Sequence, residues 1–181
     1  MKFLVYGARG WIGGQFLDVL RDASVEHAEA TSRADDSHGI LDDLALHQPT
    51  HVVSFIGRTH GHIGDKVFTT IDYLEQDGKL VENMRDNLFS PLLLATTCKA
   101  HNIHFTYLGT GCIFNFDAAL GQDGGFDEDS LPNFFGSSYS VVKGFPHSHA
   151  HYRGTPCPQF HHQNHHLRPS LLRAQFHDRA P

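Results

Sequence analysis

A short apolar segment, Lys2–Tyr6, runs directly into Gly7-Ala8-Arg9-Gly10-Trp11-Ile12-Gly13-Gly14, and nothing else in the chain narrows its fold so far. Phe16, Leu17 and Leu20 follow on one face of a helix, so the glycines lie where a buried strand turns into a helix. Glycines at such a turn let the chain reverse tightly, bring backbone against a pyrophosphate and pack the helix close to the sheet. The helix N-terminus then adds N–H donors and a dipole that suits an anion. A plain strand-to-helix turn is the alternative use of Gly7, Gly10 and Gly13; their place in the first βα turn favours dinucleotide binding.

The pattern continues to about residue 145. Residues 25–30 read as a second strand, 40–47 as a short amphipathic helix stopped by Pro49, and 51–56 as a third strand ending at Gly57. A helical region spans roughly 71–100, interrupted by Pro91. Residues 103–108 form another strand, 115–136 a Gly- and Asp-rich loop, and 137–145 the start of a helix. Strands separated by helices imply a parallel sheet covered on both faces. The predicted class is α/β, a Rossmann-like doubly wound parallel sheet.

The residues after the second strand bear on the cofactor. At that place an acidic residue suits a ribose 2′-hydroxyl, and an arginine suits a 2′-phosphate. The chain reads Thr31-Ser32-Arg33, with Asp35 and Asp36 just beyond. Arg33 therefore points to NADPH, with NADH the alternative that the aspartates leave open. A solvated loop charge is the other use of Arg33.

Tyr139 and Lys143 are spaced i, i+4, which puts both side chains on one helix face. An ammonium beside the phenol would lower its pKa, letting it pass a proton near neutral pH while hydride moves to or from a nicotinamide. A surface tyrosine and lysine form the bland alternative.

Taken with the stretches Gly10-Trp11-Ile12-Gly13-Gly14, Pro49-Thr50-His51-Val52-Val53, Gly57-Arg58-Thr59-His60-Gly61, Thr110-Gly111-Cys112-Ile113-Phe114 and Pro132-Asn133-Phe134-Phe135-Gly136-Ser137-Ser138-Tyr139-Ser140, residues 1–145 resemble the extended short-chain dehydrogenase/reductase family. Within it they are most similar to the bifunctional 3,5-epimerase/4-reductases of UDP-L-rhamnose synthesis, and to dTDP-4-dehydrorhamnose reductases. The resemblance implies a nucleotide-sugar substrate, a UDP- or dTDP-linked 4-keto-6-deoxyhexose, and it admits a homodimer. It implies that Tyr139 is the proton donor, that Lys143 holds the nicotinamide ribose, and that Thr110 polarises the C4 carbonyl. Gly7, Gly10 and Gly13 would hold the cofactor's pyrophosphate, with Trp11 and Ile12 among the cofactor-binding residues and Arg33 at the 2′-phosphate.

Cys112 fits the proton-shuttling thiol of the epimerase half-reaction; a buried packing cysteine is the alternative. The lysine that the family pairs with it has no counterpart, because no lysine follows Lys143. Related dehydrogenases place an asparagine at a helix kink, where it holds a water of the proton relay. Asn87, four residues before Pro91, is the candidate, unless Pro91 only starts a second helix.

Composition changes sharply at residue 145. Eight of the 16 histidines and five of the eight prolines lie beyond it. There the family's sugar-binding lobe finds no match. The expected organisation is a nucleotide-binding domain over 1–145, truncated before the C-terminal substrate lobe, and a His/Pro-rich tail over 146–181. That tail reads as disordered, or as translated out of frame from an ancestral gene. His161, His162, His165 and His166 have metal-pair spacing, but Pro156, Pro158 and Pro169 break any helix there, so no metal is expected.

A net charge of -6 argues against nucleic-acid binding, and no apolar run suits a membrane span. Three cysteines without a CxxC pair favour a reducing compartment, hence a soluble cytoplasmic protein. Two functions stay open: an NADPH-dependent nucleotide-sugar epimerase/reductase, or a non-catalytic nucleotide-binding module with a regulatory or partner-binding role.

Overall fold

The computed structural model describes residues 1–116, 125–127 and 129–151. Strand β1 (Lys2–Tyr6) leads into helix α1 (Trp11–Asp22), then β2 (Glu26–Glu29), α2 (Ser37–His47) and β3 (His51–Ser54). A small hairpin, β4 (Gly61–Ile63) and β5 (Lys66–Phe68), precedes α3 (Leu80–Met84) and α4 (Ser90–Ala100), which a π-helical turn over Arg85–Phe89 joins. Strand β6 (His104–Tyr107) and helix α5 (Ser138–His151) complete the described elements.

Four of these strands pair in parallel in the order β2-β1-β3-β6. Side chains alternate across a strand, so central β1 must be apolar on both faces. Leu4 and Tyr6 pack with Ile40 and Leu44 of α2, Leu94 of α4, and Val52 and Phe105 of the neighbouring strands. Val5 packs on the opposite face against Leu17 and Leu20 of α1. Because β2 lies to one side of β1 and β3 to the other, a crevice opens at their carboxyl ends, where ligands bind in sheets of this kind.

The structure refines several sequence expectations. Helix α2 begins at Ser37 rather than residue 40, because the Asp36 side chain caps it by accepting from the His38 N–H at 3.1 Å. The region 71–100 is not one helix: a 3-10 turn over Ile71–Tyr73 and a turn at Gly78 (φ 77°) precede α3. Pro91 lies in the first turn of α4, where a missing N–H does no harm, and the irregularity is the π turn before it. The hairpin β4–β5 was not foreseen, since strands of three residues show too little alternation to read.

Helix α5 continues past the composition change at residue 145 and through Pro146. There His147 is buried, with Nε2 2.8 Å from the Ser130 carbonyl. Part of the 115–136 loop and the tail from residue 152, with its histidines, lie outside the described residues. Among the described residues no helix is long and apolar enough to cross a membrane, and no group of three or more His, Cys, Asp or Glu could hold a metal ion.

Candidate active site

The glycine turn is built as a cradle. Gly7 takes φ 79°, in the left-handed region, and its carbonyl accepts the Gly10 N–H at 3.0 Å. A Cβ on Gly13 would lie 2.2 Å from that same carbonyl oxygen, so only glycine lets α1 approach the strand this closely. Gly10 is the N-cap of α1 and brings no side-chain cap, while Trp11 and Ile12 are exposed on its first turn. The first N–H groups of a helix have no intrahelical acceptor, and with its dipole this end of α1 suits an anion.

Beside this cradle lies a cleft of about 200 Å³, whose lining includes Tyr6, Gly7, Ser32, Arg33, Arg58 and Asp86. Arg33 stands where the sequence placed it, at the exit of β2 and largely exposed. Its guanidinium is engaged, however. Nε donates to Asp35 Oδ1 at 2.8 Å and Nη2 to Oδ2 at 3.0 Å. Arg58 pairs with Asp86 at 3.0 Å and Glu82 at 3.2 Å. These residues suit a dinucleotide: glycines close the β1–α1 turn tightly, and the cleft beside it reaches the cationic side chain of Arg33.

The candidate site residues gather beyond the carboxyl ends of β3 and β6. Tyr139 and Lys143 are both buried. Burial raises the Tyr139 phenol above its usual pKa; a hydrogen bond with the Thr110 hydroxyl pulls the other way, and Cys112 adds to the rise. Thr110, Cys112 and Tyr139 are thus brought together. Cys112 is exposed, in a 3-10 turn where its N–H donates to Thr110 Oγ1 at 3.2 Å, so it is not the buried packing cysteine.

The expected effect of Lys143 on Tyr139 needs correction. Lys143 Nζ donates to the hydroxyl of Tyr107 and lies 4.5 Å from the centroid of that ring. Burial pushes its pKa down to about 8. With its amine bonded to Tyr107, Lys143 does not lower the pKa of Tyr139, which burial holds above its usual value instead. A Cβ on Gly57 would sit 3.2 Å from Lys143 Nζ and 3.5 Å from Asn87 Oδ1, so both side chains lie against this glycine. Asn87 is fully buried; its Nδ2 donates to the Arg58 carbonyl at 3.0 Å and to Asn83 Oδ1 at 2.9 Å, leaving Oδ1 without a partner.

Three contributors escaped the sequence reading. Tyr107 is one, and no local pattern marks it. Glu75 is another: its carboxylate accepts the N–H groups of Ser138 at 2.9 Å and Tyr139 at 3.0 Å, capping α5 from a distant loop. The third, Asp43, is buried in α2 and receives hydrogen bonds from Thr31, Ser32 and Tyr6. Its signal was present, as an acid within the apolar stripe Ile40, Asp43, Leu44.

Parallel order β2-β1-β3-β6, a glycine cradle at the switch point and a tyrosine–lysine helix beside it define a Rossmann-like unit of the dehydrogenase/reductase type. No family model matches the chain. It is 52% identical over 149 residues to protein L780 of Acanthamoeba polyphaga mimivirus, covering 80% of this chain and 49% of L780. The crystal structure of L780, a UDP-rhamnose synthase, matches with TM-score 0.76 and 50% identity over 84% of this chain and 52% of that one.

The bifunctional dTDP-4-dehydrorhamnose 3,5-epimerase/reductase of Arabidopsis thaliana is 33% identical over 144 residues, 78% of this chain and 45% of that protein. The chain is therefore related to the enzymes of rhamnose synthesis, and it spans about half the length of these two relatives. A dTDP-4-dehydrorhamnose reductase of Bacillus anthracis, solved with NADP, shares the fold at TM-score 0.63 and 14% identity, covering 82% of this chain and 48% of that one.

Proposed function

We propose that this chain carries the cofactor-binding and proton-transfer half of an NADPH-dependent nucleotide-sugar 3,5-epimerase/4-reductase, acting on a UDP-linked 4-keto-6-deoxyhexose. The observation that supports it most is the meeting of Thr110, Cys112 and Tyr139 at one strand end, in a chain half identical to a UDP-rhamnose synthase. Gly7, Gly10 and Gly13 would hold the nicotinamide dinucleotide, which when bound would supply hydride to the C4 carbonyl carbon.

The residues of the chain supply the rest. Tyr139, kept protonated by burial, is a donor of a proton to the C4 oxygen. The Thr110 hydroxyl, bonded to that phenol, orients it and polarises the same oxygen. Asn87 Oδ1, lacking a partner, is an acceptor for a water that would return a proton by way of Lys143. Cys112, exposed beside Thr110, is placed to exchange the C3 and C5 protons that the ketone acidifies.

Two measurements on the purified chain test this. In deuterium oxide, Tyr139→Phe should abolish reduction of UDP-4-keto-6-deoxyglucose yet leave deuterium exchange at C3 and C5. Cys112→Ala should do the reverse. Normal exchange by Cys112→Ala removes the thiol from the mechanism. Cofactor binding without reduction or exchange in the unaltered chain is what the non-catalytic module predicts.

A further inference from the structure

The side chain of Asp43 is the least expected charge in the molecule. It belongs to the core-facing stripe of α2, between Ile40 and Leu44, and only 2% of the residue is exposed. Taking a carboxylate out of water is costly unless its lone pairs are filled. Among the described residues no lysine or arginine pairs with it. Neutral donors fill the oxygens instead. The Thr31 hydroxyl donates at 2.6 Å, the Ser32 hydroxyl at 2.7 Å, the Ser32 N–H at 3.0 Å, the Thr31 N–H at 3.2 Å and the Tyr6 hydroxyl at 3.2 Å.

The origin of these donors gives the arrangement its meaning. Tyr6 is the last residue of β1, immediately before the glycine cradle. Thr31 and Ser32 are the exit of β2, and two consecutive amides aimed at one carboxylate leave that backbone a single direction. The next residue is Arg33, and Tyr6, Ser32 and Arg33 line the same cleft. One buried acid therefore ties both walls of the nucleotide crevice to α2 without lining the crevice itself.

We propose that Asp43 is a positioning residue for cofactor choice: by clamping Thr31 and Ser32 it sets where Arg33 meets the 2′-phosphate of NADPH. This rests on the NADPH reading above and deepens it. A brace that only stabilised the fold would weaken both nicotinamide cofactors together. A clamp on the arginine-bearing turn changes their ratio.

The test titrates NADPH and NADH against the unaltered chain, Arg33→Ala, Asp43→Asn, Thr31→Val and Thr31→Ser. Asp43→Asn keeps shape but turns an amide toward donors. Thr31→Val deletes the shortest bond from an exposed position outside the cleft, and so remains informative if Asp43→Asn does not fold. The expected result is a preference for NADPH that Arg33→Ala abolishes. Asp43→Asn and Thr31→Val should reduce it roughly tenfold, the scale of one charge-assisted contact. NADH affinity stays unchanged, and Thr31→Ser, which keeps the hydroxyl, keeps the preference. Retention of the full ratio by Thr31→Val, while Arg33→Ala loses it, overturns the role of Asp43 alone. Absence of any preference in the unaltered chain, or its survival in Arg33→Ala, overturns the NADPH reading and this inference together.

Discussion

At the scale of single residues, the site is governed by who holds which charge. Asp35 grips Arg33 through two bonds, so a 2′-phosphate must compete with a carboxylate already in place. Arg33 is well exposed, and an exposed pair is worth about 0.2–1 kcal/mol. Asp35→Asn should accordingly tighten NADPH about two- to fivefold and leave NADH alone, as isothermal titration of both cofactors would reveal. Lys143 presents the opposite case, a cation whose burial brings it to about 8, below the roughly 10.4 of an unfolded lysine. Below pH 8 the folded chain carries a buried charge at a cost. Between about pH 8 and 10.4 the unfolded chain binds the extra proton, so stability should rise with pH across that window. Urea midpoints at several pH values should follow this slope, and Lys143→Met should flatten it. The Tyr107 hydroxyl accepts from the ammonium and favours its charged form, so Tyr107→Phe should move the titration lower still.

Among the elements, α5 depends most on a partner remote in sequence. Its first N–H groups have no intrahelical acceptors, and Glu75 supplies them, also accepting the Ser138 hydroxyl at 3.0 Å. A carboxylate there complements the positive end of the helix as well. Glu75→Ala should lower stability by about 1–2 kcal/mol, the upper range for a lost cap. The loss should concentrate at the start of α5, where hydrogen exchange of the Tyr139 to Lys143 amides would quicken before that of β1. Unchanged exchange there would show that packing against α3 and the π turn holds the helix without the cap. The π turn before α4 has a similar logic. Ser90 Oγ donates to the Arg85 carbonyl at 2.9 Å, stabilising the wider turn, and Asn87 of that turn faces Gly57 and Lys143.

Across the molecule, acids are held in charged form by networks rather than by solvent. Burial raises the pKa of Asp43, Asp86 and Glu82, yet hydrogen bonds outweigh it and each lies below its ordinary value. For Asp43 the donors are Thr31 and Ser32, for Asp86 they are Arg85 and Arg58, and for Glu82 they are Tyr73 and Lys79. Groups depressed on folding add stability above the unfolded carboxylate pKa of about 4 and lose it as pH falls through the lower folded values. Acid unfolding should therefore be cooperative, and Asp43→Asn should weaken the pH dependence of the urea midpoint below about pH 5. Much of this architecture was readable in advance. The apolar run of β1, the glycines after it and the four-residue spacing of Tyr139 and Lys143 are local patterns, and local patterns carry strand, turn and helix face directly. The cap from Glu75, the clamp from Asp43 and the bond from Lys143 to Tyr107 join residues 63, 12 and 36 positions apart. No periodicity encodes such pairs. They form because β3 and β6 lie side by side and α2 packs beneath the end of β2, so distance in space, set by the packed sheet, selected Tyr107 rather than Tyr139 as the partner of Lys143.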